Sequence, residues 1–135
     1  IQEVVDVPVI ANGEVWTVDD YARCRVVSGC EDVMLGRGAV AAPFLARRIR
    51  GESLNEAAAW AELLPLLAVF WRQVQTRVVS AHAPGRLKLW LNSLRHTFAA
   101  AEALYGAIRP LRCIAGVDCE LVRHGVPLTE DCRAG

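Results

Sequence analysis

Some of what this 135-residue chain lacks narrows its class at once. No apolar run approaches the roughly 20 residues needed to cross a bilayer. The longest, Leu63 to Trp71, is short and interrupted by Pro65. No basic stretch followed by an apolar one stands at the N-terminus, so nothing in the residues suggests secretion or a membrane. Charged residues are sparse at 22%, against 53% hydrophobic ones and a mean hydropathy of +0.25, a balance that excludes disorder over most of the length. There is no internal repeat and no low-complexity run. The five cysteines are odd in number and scattered, which fits free thiols in a reducing cytosol rather than a disulfide framework.

What is present is one ordinary domain's worth of residues. The chain opens on Ile1 rather than Met, and within residues that already approach a buried strand. The expectation is the C-terminal part of a larger protein. Net charge is zero, but unevenly spread: residues 1–35 carry −5, 36–76 carry +2, 77–112 carry +5 and 113–135 carry −2. A neutral total thus hides one basic segment, an asymmetry that suits a polyanionic partner and equally an ordinary solvated face.

In the first third, Val7-Pro-Val-Ile-Ala11 reads as a buried strand of the parallel kind, stopped by Asn12-Gly13. Thr17 and Asp20 have capping-box spacing, and Val18, Tyr21, Ala22 and Val26 follow at helical spacing up to Gly29, a natural C′ residue. Asp32-Val-Met-Leu-Gly36 is a second short apolar run, ended by Gly36-Arg37-Gly38. Strand, helix and strand within about thirty residues make a βαβ unit. Both glycine-bearing turns then fall at the C-terminal ends of adjacent parallel strands, where backbone N–H groups can approach a ligand. Pro43 is read as opening a further short helix to Arg50. In (β/α)8 barrels the loops after the last two strands form the usual phosphate site, although these glycines would also serve as plain turns.

From Ser53 the composition becomes Ala- and Leu-rich helix, with Ser53 and Glu56 at capping-box spacing. Trp60, Leu63, Leu64, Leu67, Phe70, Trp71, Val74 and Val78 mark one apolar stripe, which Pro65 is expected to kink or split. After the break at His82-Ala-Pro-Gly85, residues Leu87, Trp90, Leu91, Leu94 and Phe98 form a core face, with Lys88, Asn92 and Arg95 on a polar flank. A last helix runs from Ala99 to about Arg109. The periodicity fades after Cys113, and 113–135 read as a C-terminal tail. The helices make a small bundle.

Three stretches taken together resemble the C-terminal part of the tRNA-dihydrouridine synthases. They are Ile10-Ala-Asn-Gly-Glu-Val-Trp16, Ser28-Gly-Cys-Glu-Asp-Val-Met-Leu-Gly-Arg-Gly-Ala39 and Arg86-Leu-Lys-Leu-Trp-Leu91, colinear over residues 1 to about 112. The Ala-Asn-Gly-Glu loop and the Arg-x-Lys-x-Trp-Leu helix are most similar to the bacterial C-type branch. The resemblance implies a flavin enzyme with an N-terminal TIM barrel, (β/α)8, and a C-terminal helical domain, passing hydride from NADPH through FMN to a uracil ring of tRNA. The target in that branch is the D-loop uridine at position 16, a base that must leave its stack to reach the flavin. Residues 1–50 would then be the last βαβ portion of the barrel and 53–112 a helical tRNA-binding domain. Residue by residue, Asn12, Gly13 and Glu14 match one FMN-contacting loop and Gly36 and Arg37 the other. Arg86 and Lys88 match the tRNA-facing helix, with Arg95 a neighbour by helical spacing.

The same resemblance puts the family's catalytic cysteine in the N-terminal half, so no catalytic residue is expected among these 135. Cys24 and Cys30 read as packing residues, and Cys113, Cys119 and Cys132 lack the paired spacing of a zinc site, so no metal is expected. His82 and His124 have no partner pattern, and His96 reads as a solvated helix-end histidine. Six barrel strands are absent, so residues 1–50 should need the missing barrel half or associate with one another. A non-catalytic helical RNA-binding module and a phosphate-binding fragment of another barrel enzyme remain open alternatives.

Overall fold

The computed structural model describes residues 4–128. They form two compact units, divided between Leu54 and Asn55.

In the first unit, β1 (Ile10–Asn12) and β2 (Asp32–Met34) pair in parallel, with Ile10 opposite Asp32 and Asn12 opposite Met34. Between them runs α1 (Val18–Ser28). The Thr17 hydroxyl accepts from the Asp20 amide at 3.1 Å, while the Asp20 carboxylate accepts from the Thr17 and Trp16 amides, each at 3.1 Å. Those bonds, the Trp16 amide foremost, hold the Asp20 carboxyl below its usual range. Gly29, at φ 72°, closes the helix as its sequence position foretells.

Two expectations need correction here. The apolar run from Val7 gives a strand only from Ile10, because Pro8 has no N–H for a ladder. Pro43 does not open a helix: α2 (Arg37–Ala41) begins directly after Gly36, and α3 (Leu45–Ile49) begins beyond the turn that holds Pro43. A residue before proline is pushed out of the helical region, and Ala42, at φ −132° and ψ 81°, ends α2 for that reason. Val15, Cys30, Ala41 and Leu45 are the buried apolar residues of this unit.

The second unit is helical: α4 (Glu56–Arg77), α5 (Ala83–Leu94), α6 (Ala99–Ile108) and α7 (Ile114–Arg123). The expected Ser53–Glu56 capping box does not form. Asn55 caps α4 instead, its side chain accepting from the Ala58 amide at 2.8 Å, and Glu56 reaches across to the Ala99 amide at the start of α6 (2.7 Å). Pro65 does not split α4, which stays one helix of 22 residues. Leu63, Leu67 and Trp71 are fully buried on either side of it, and that packing outweighs the one backbone bond proline removes. Pro84 lies in the first turn of α5, where a missing N–H is harmless. Leu87, Leu91 and Leu94 are buried as their spacing requires.

The largest departure is α7, a helix within residues expected to be a tail. Val117 and Leu121, four residues apart, are fully buried, and the Trp71 indole donates to the Asp118 carboxylate at 2.7 Å. The helix ends in a Schellman motif: Val126 N–H bonds Leu121 C=O and Gly125 N–H bonds Val122 C=O, with Gly125 at φ 90°. Val126 is thereby folded back and buried. The rest of the expected tail, Cys132 included, lies outside the described residues. Among the described residues no helix is long and apolar enough to cross a membrane, and no group of three or more His, Cys, Asp or Glu could hold a metal ion.

Candidate functional site

The parallel register sets the loop after β1 beside the loop after β2. Between them lies a crevice of about 170 Å³ lined by Asn12, Glu14, Val15, Trp16, Leu35, Gly36, Arg37 and Gly38. Four of the five residues expected at a cofactor therefore meet at one place. Gly13, the fifth, lines a second, open hollow of about 310 Å³ with Asp20, Arg23 and Cys24.

Two glycines build the crevice for different reasons. A Cβ on Gly38 would stand 1.9 Å from the Val15 carbonyl oxygen, so only glycine lets the two backbones approach this closely. Gly36 has space around it, its nearest neighbour being Asn12 Oδ1 at 3.8 Å from an added Cβ, but its φ of 54° with ψ −128° suits only glycine.

Across the opening, Arg37 pairs with Glu14 at 2.5 Å, Glu14 accepts from the Trp16 indole at 3.0 Å, and the Arg37 guanidinium lies 5.7 Å from the Trp16 ring centre. Glu14 sits at φ 49°, the one non-glycine residue with positive φ among those described. The indole bond first, and Arg37 next, hold its carboxyl below the usual range. Trp16 is the member of this cluster that sequence reasoning did not name as a site residue; it closed the quoted Asn-Gly-Glu stretch, and an indole two residues from a carboxylate was the available signal.

The three expected RNA-facing cations, Arg86 and Lys88 on α5 and Arg95 at its C-terminal cap, have different surroundings. Arg86 is exposed and makes no ion pair among the described residues. Lys88 is half-buried and donates to the Leu111 carbonyl oxygen at 2.5 Å. Arg95 grips Glu102 with two bonds, 2.6 and 3.1 Å, and covers the Tyr105 ring at 4.7 Å. Lys88 and Arg95 thus already have intramolecular partners, which helical spacing alone could not reveal.

A glycine-lined crevice at the carboxyl ends of parallel strands, on a chain that continues into an all-helical unit, is the arrangement of α/β proteins that take ligands at a loop–helix junction. The family described as Dihydrouridine synthase (Dus) matches residues 1–101, and the chain belongs to that family. The chain is 53% identical to a tRNA-dihydrouridine(16) synthase of Ralstonia nicotianae over 83% of its own length and 35% of the relative's. It is 50% identical to one of Aquipseudomonas alcaligenes over 90% and 38%, and 47% identical to one of Cupriavidus necator over 94% and 39%. It therefore spans less than two-fifths of these curated relatives.

Proposed function

We propose that this chain is the C-terminal part of a cytoplasmic, FMN-dependent tRNA-dihydrouridine synthase that reduces the D-loop uridine at position 16 with NADPH. The observation that carries this reading is identity near one half, over most of the chain, to relatives bearing that enzyme name. In this reading residues 1–50 are the last strands and helices of the (β/α)8 barrel. Residues 53–112 are the tRNA-docking domain, to which α7 adds a fourth helix.

Asn12, Gly13, Glu14, Gly36 and Arg37 would hold the phosphate side of the flavin. The lining suits it in part: the Arg37 cation and the Asn12 side chain stand at one crevice, with no side chain on Gly36 to fill it, while the Gly38 and Ala39 N–H groups already bond the Leu35 and Gly36 carbonyls. When bound, FMN supplies the hydride chemistry. Glu14 keeps Arg37 at the opening, and the Trp16 indole holds Glu14 in turn. No residue of this chain is assigned the protonation of uracil. On α5, Arg86 supplies a phosphate contact that positions the RNA without reading its sequence, with Lys88 on the same helix and Arg95 at its C-terminal cap. Turnover needs the upstream barrel.

A second reading, a helical RNA-binding module without redox chemistry, draws support from the self-contained core of the second unit and the +5 of residues 77–112. The test is titration of the chain with unmodified tRNA at two salt concentrations, beside Arg86→Glu, with an FMN titration of the same preparation. Salt-sensitive RNA binding weakened in the variant supports docking through α5. FMN binding beside RNA binding favours the first reading, and salt-independent RNA binding defeats both.

A further inference from the structure

We infer that Lys88 serves as a tether that orders the turn after α6, and that Arg112 is the RNA-phosphate contact this turn presents. The inference rests on the RNA-docking reading above. Lys88 Nζ crosses from α5 to the Leu111 carbonyl oxygen, the oxygen of the peptide unit whose nitrogen belongs to Arg112. Leu111 has one further bond and one further neighbour. Its N–H donates to the Ile108 carbonyl at 2.9 Å, and its methyl groups lie 3.7 Å from where a Cβ on Gly116 would stand, against the first turn of α7. Bonds from α5 and α6 therefore fix the backbone that leads into Arg112, with the first turn of α7 beside it.

Arg112 itself is exposed and has no ion pair or hydrogen bond among the described residues, in contrast to Arg95 with its two bonds to Glu102. Glu102 is the single acid of residues 77–112, so no carboxylate of that segment is left to neutralise Arg112. For Lys88 to reach a phosphate it would have to release Leu111 and leave a half-buried carbonyl without its donor. A cation on a pre-ordered turn has less freedom to lose on binding than one on a loose segment. RNA phosphate is the ligand that an exposed guanidinium on an ordered turn, without a carboxylate partner, suits.

The experiment measures tRNA affinity of the 135-residue chain against salt for wild type, Arg112→Gln, Lys88→Met, Lys88→Arg and the Lys88→Met/Arg112→Gln double variant. Loss of one phosphate contact lowers the slope of log K against log salt by about 1. Arg112→Gln is expected to show that drop with an unchanged melting temperature. Lys88→Met is expected to keep the wild-type slope, weaken binding several-fold, and add nothing to Arg112→Gln in the double variant, because it acts only through that residue. Lys88→Arg, which keeps a donor, restores the affinity. A slope lowered by about 1 in Lys88→Met, a full additive loss in the double variant, or a wild-type slope in Arg112→Gln overturns the inference while RNA docking stands. A Lys88→Met protein that melts lower but binds as wild type also overturns it. A wild-type chain without salt-dependent tRNA binding defeats the docking reading itself, and the inference with it.

Discussion

The indole–carboxylate bond between α4 and α7 offers the sharpest test of how the helical unit is held together. Trp71 is fully buried, and its Nε1–H meets Asp118 Oδ1 at 2.7 Å, a short bond to a charged acceptor across 47 residues of sequence. Hydrogen bonds to charged groups contribute about 1.5–3 kcal/mol, and a buried donor left without a partner costs about 1–3 kcal/mol. Asp118→Ala strands the Trp71 N–H and should lose about 2–3 kcal/mol. Asp118→Asn keeps an oxygen in place and should lose about 1 kcal/mol, the charge assistance alone. Trp71→Phe removes the donor and part of the ring, with a further loss from the void. In the double variant Trp71→Phe/Asp118→Ala the stranded donor no longer exists. The coupling energy of the cycle should therefore be about 1.5–3 kcal/mol. Urea unfolding followed by far-ultraviolet circular dichroism reads the cycle, since this unit contributes the long helices. A coupling energy below about 0.5 kcal/mol, or Asp118→Asn as damaging as Asp118→Ala, would refute the argument that this bond seats α7.

Other outcomes follow from the same geometry. Leu121→Ala, which empties a fully buried position on α7, should lower stability by about 2–5 kcal/mol in the same urea experiment. Gly38→Ala drives a Cβ to 1.9 Å from the Val15 carbonyl and should displace the Trp16 indole resonance in an NMR spectrum. Gly106→Ala, with nothing within 4 Å, should raise the melting temperature, since alanine is favoured over glycine inside a helix by about 1 kcal/mol. Glu14 has its folded pKa lowered, by the Trp16 indole first and Arg37 next. Its stabilising contribution is therefore present above the unfolded carboxyl pKa and is lost as pH falls through the folded value. The Trp16 indole signal should titrate in that acid range and stop doing so in Glu14→Gln.

Local rules with one strong cause were legible in the sequence: the Thr17–Asp20 box, Gly29 as a helix stop, and the Leu87–Leu91–Leu94 face all rest on spacing that backbone geometry enforces. Where two causes compete, spacing alone chose wrongly. Ser53 and Glu56 have capping-box spacing, but Asn55 is nearer the first helical turn and Glu56 is drawn to α6. Pro65 weakens a helix that tertiary packing nonetheless keeps whole. The short α7 shows too few repeats for periodicity to stand out, and its evidence is the long-range bond to Trp71. The meeting of the two glycine turns was readable because parallel pairing follows from βαβ order. The Glu14–Arg37–Trp16 cluster was not, because side-chain pairing across 23 residues depends on the strand register.

The contrast between the two units decides where the isolated chain should be weak. The helical unit buries Leu63, Leu67, Trp71, Leu87, Leu91, Leu104 and Ile108 completely, each worth about 1.5–3 kcal/mol. In the first unit α1 has no buried residue, Val26 and Val27 are 83% and 80% exposed, and Ile10 and Met34 on the paired strands are exposed as well. Parallel sheets are stable when both faces are covered, and among the described residues the two strands of three residues have no further strand at either outer edge. Residues 1–50 should therefore either associate between chains or exchange their strand amides freely in a monomer. Light scattering with residue-resolved hydrogen exchange separates the cases. Association that grows with concentration, with protection at Ile10–Asn12 growing alongside, points to edge pairing between copies. Free exchange in a monomer points to a sheet that needs further strands. A monomer with full protection at Ile10–Asn12 would mean that Val15, Cys30, Ala41 and Leu45 alone suffice as a core, and the argument from exposed valines would fall.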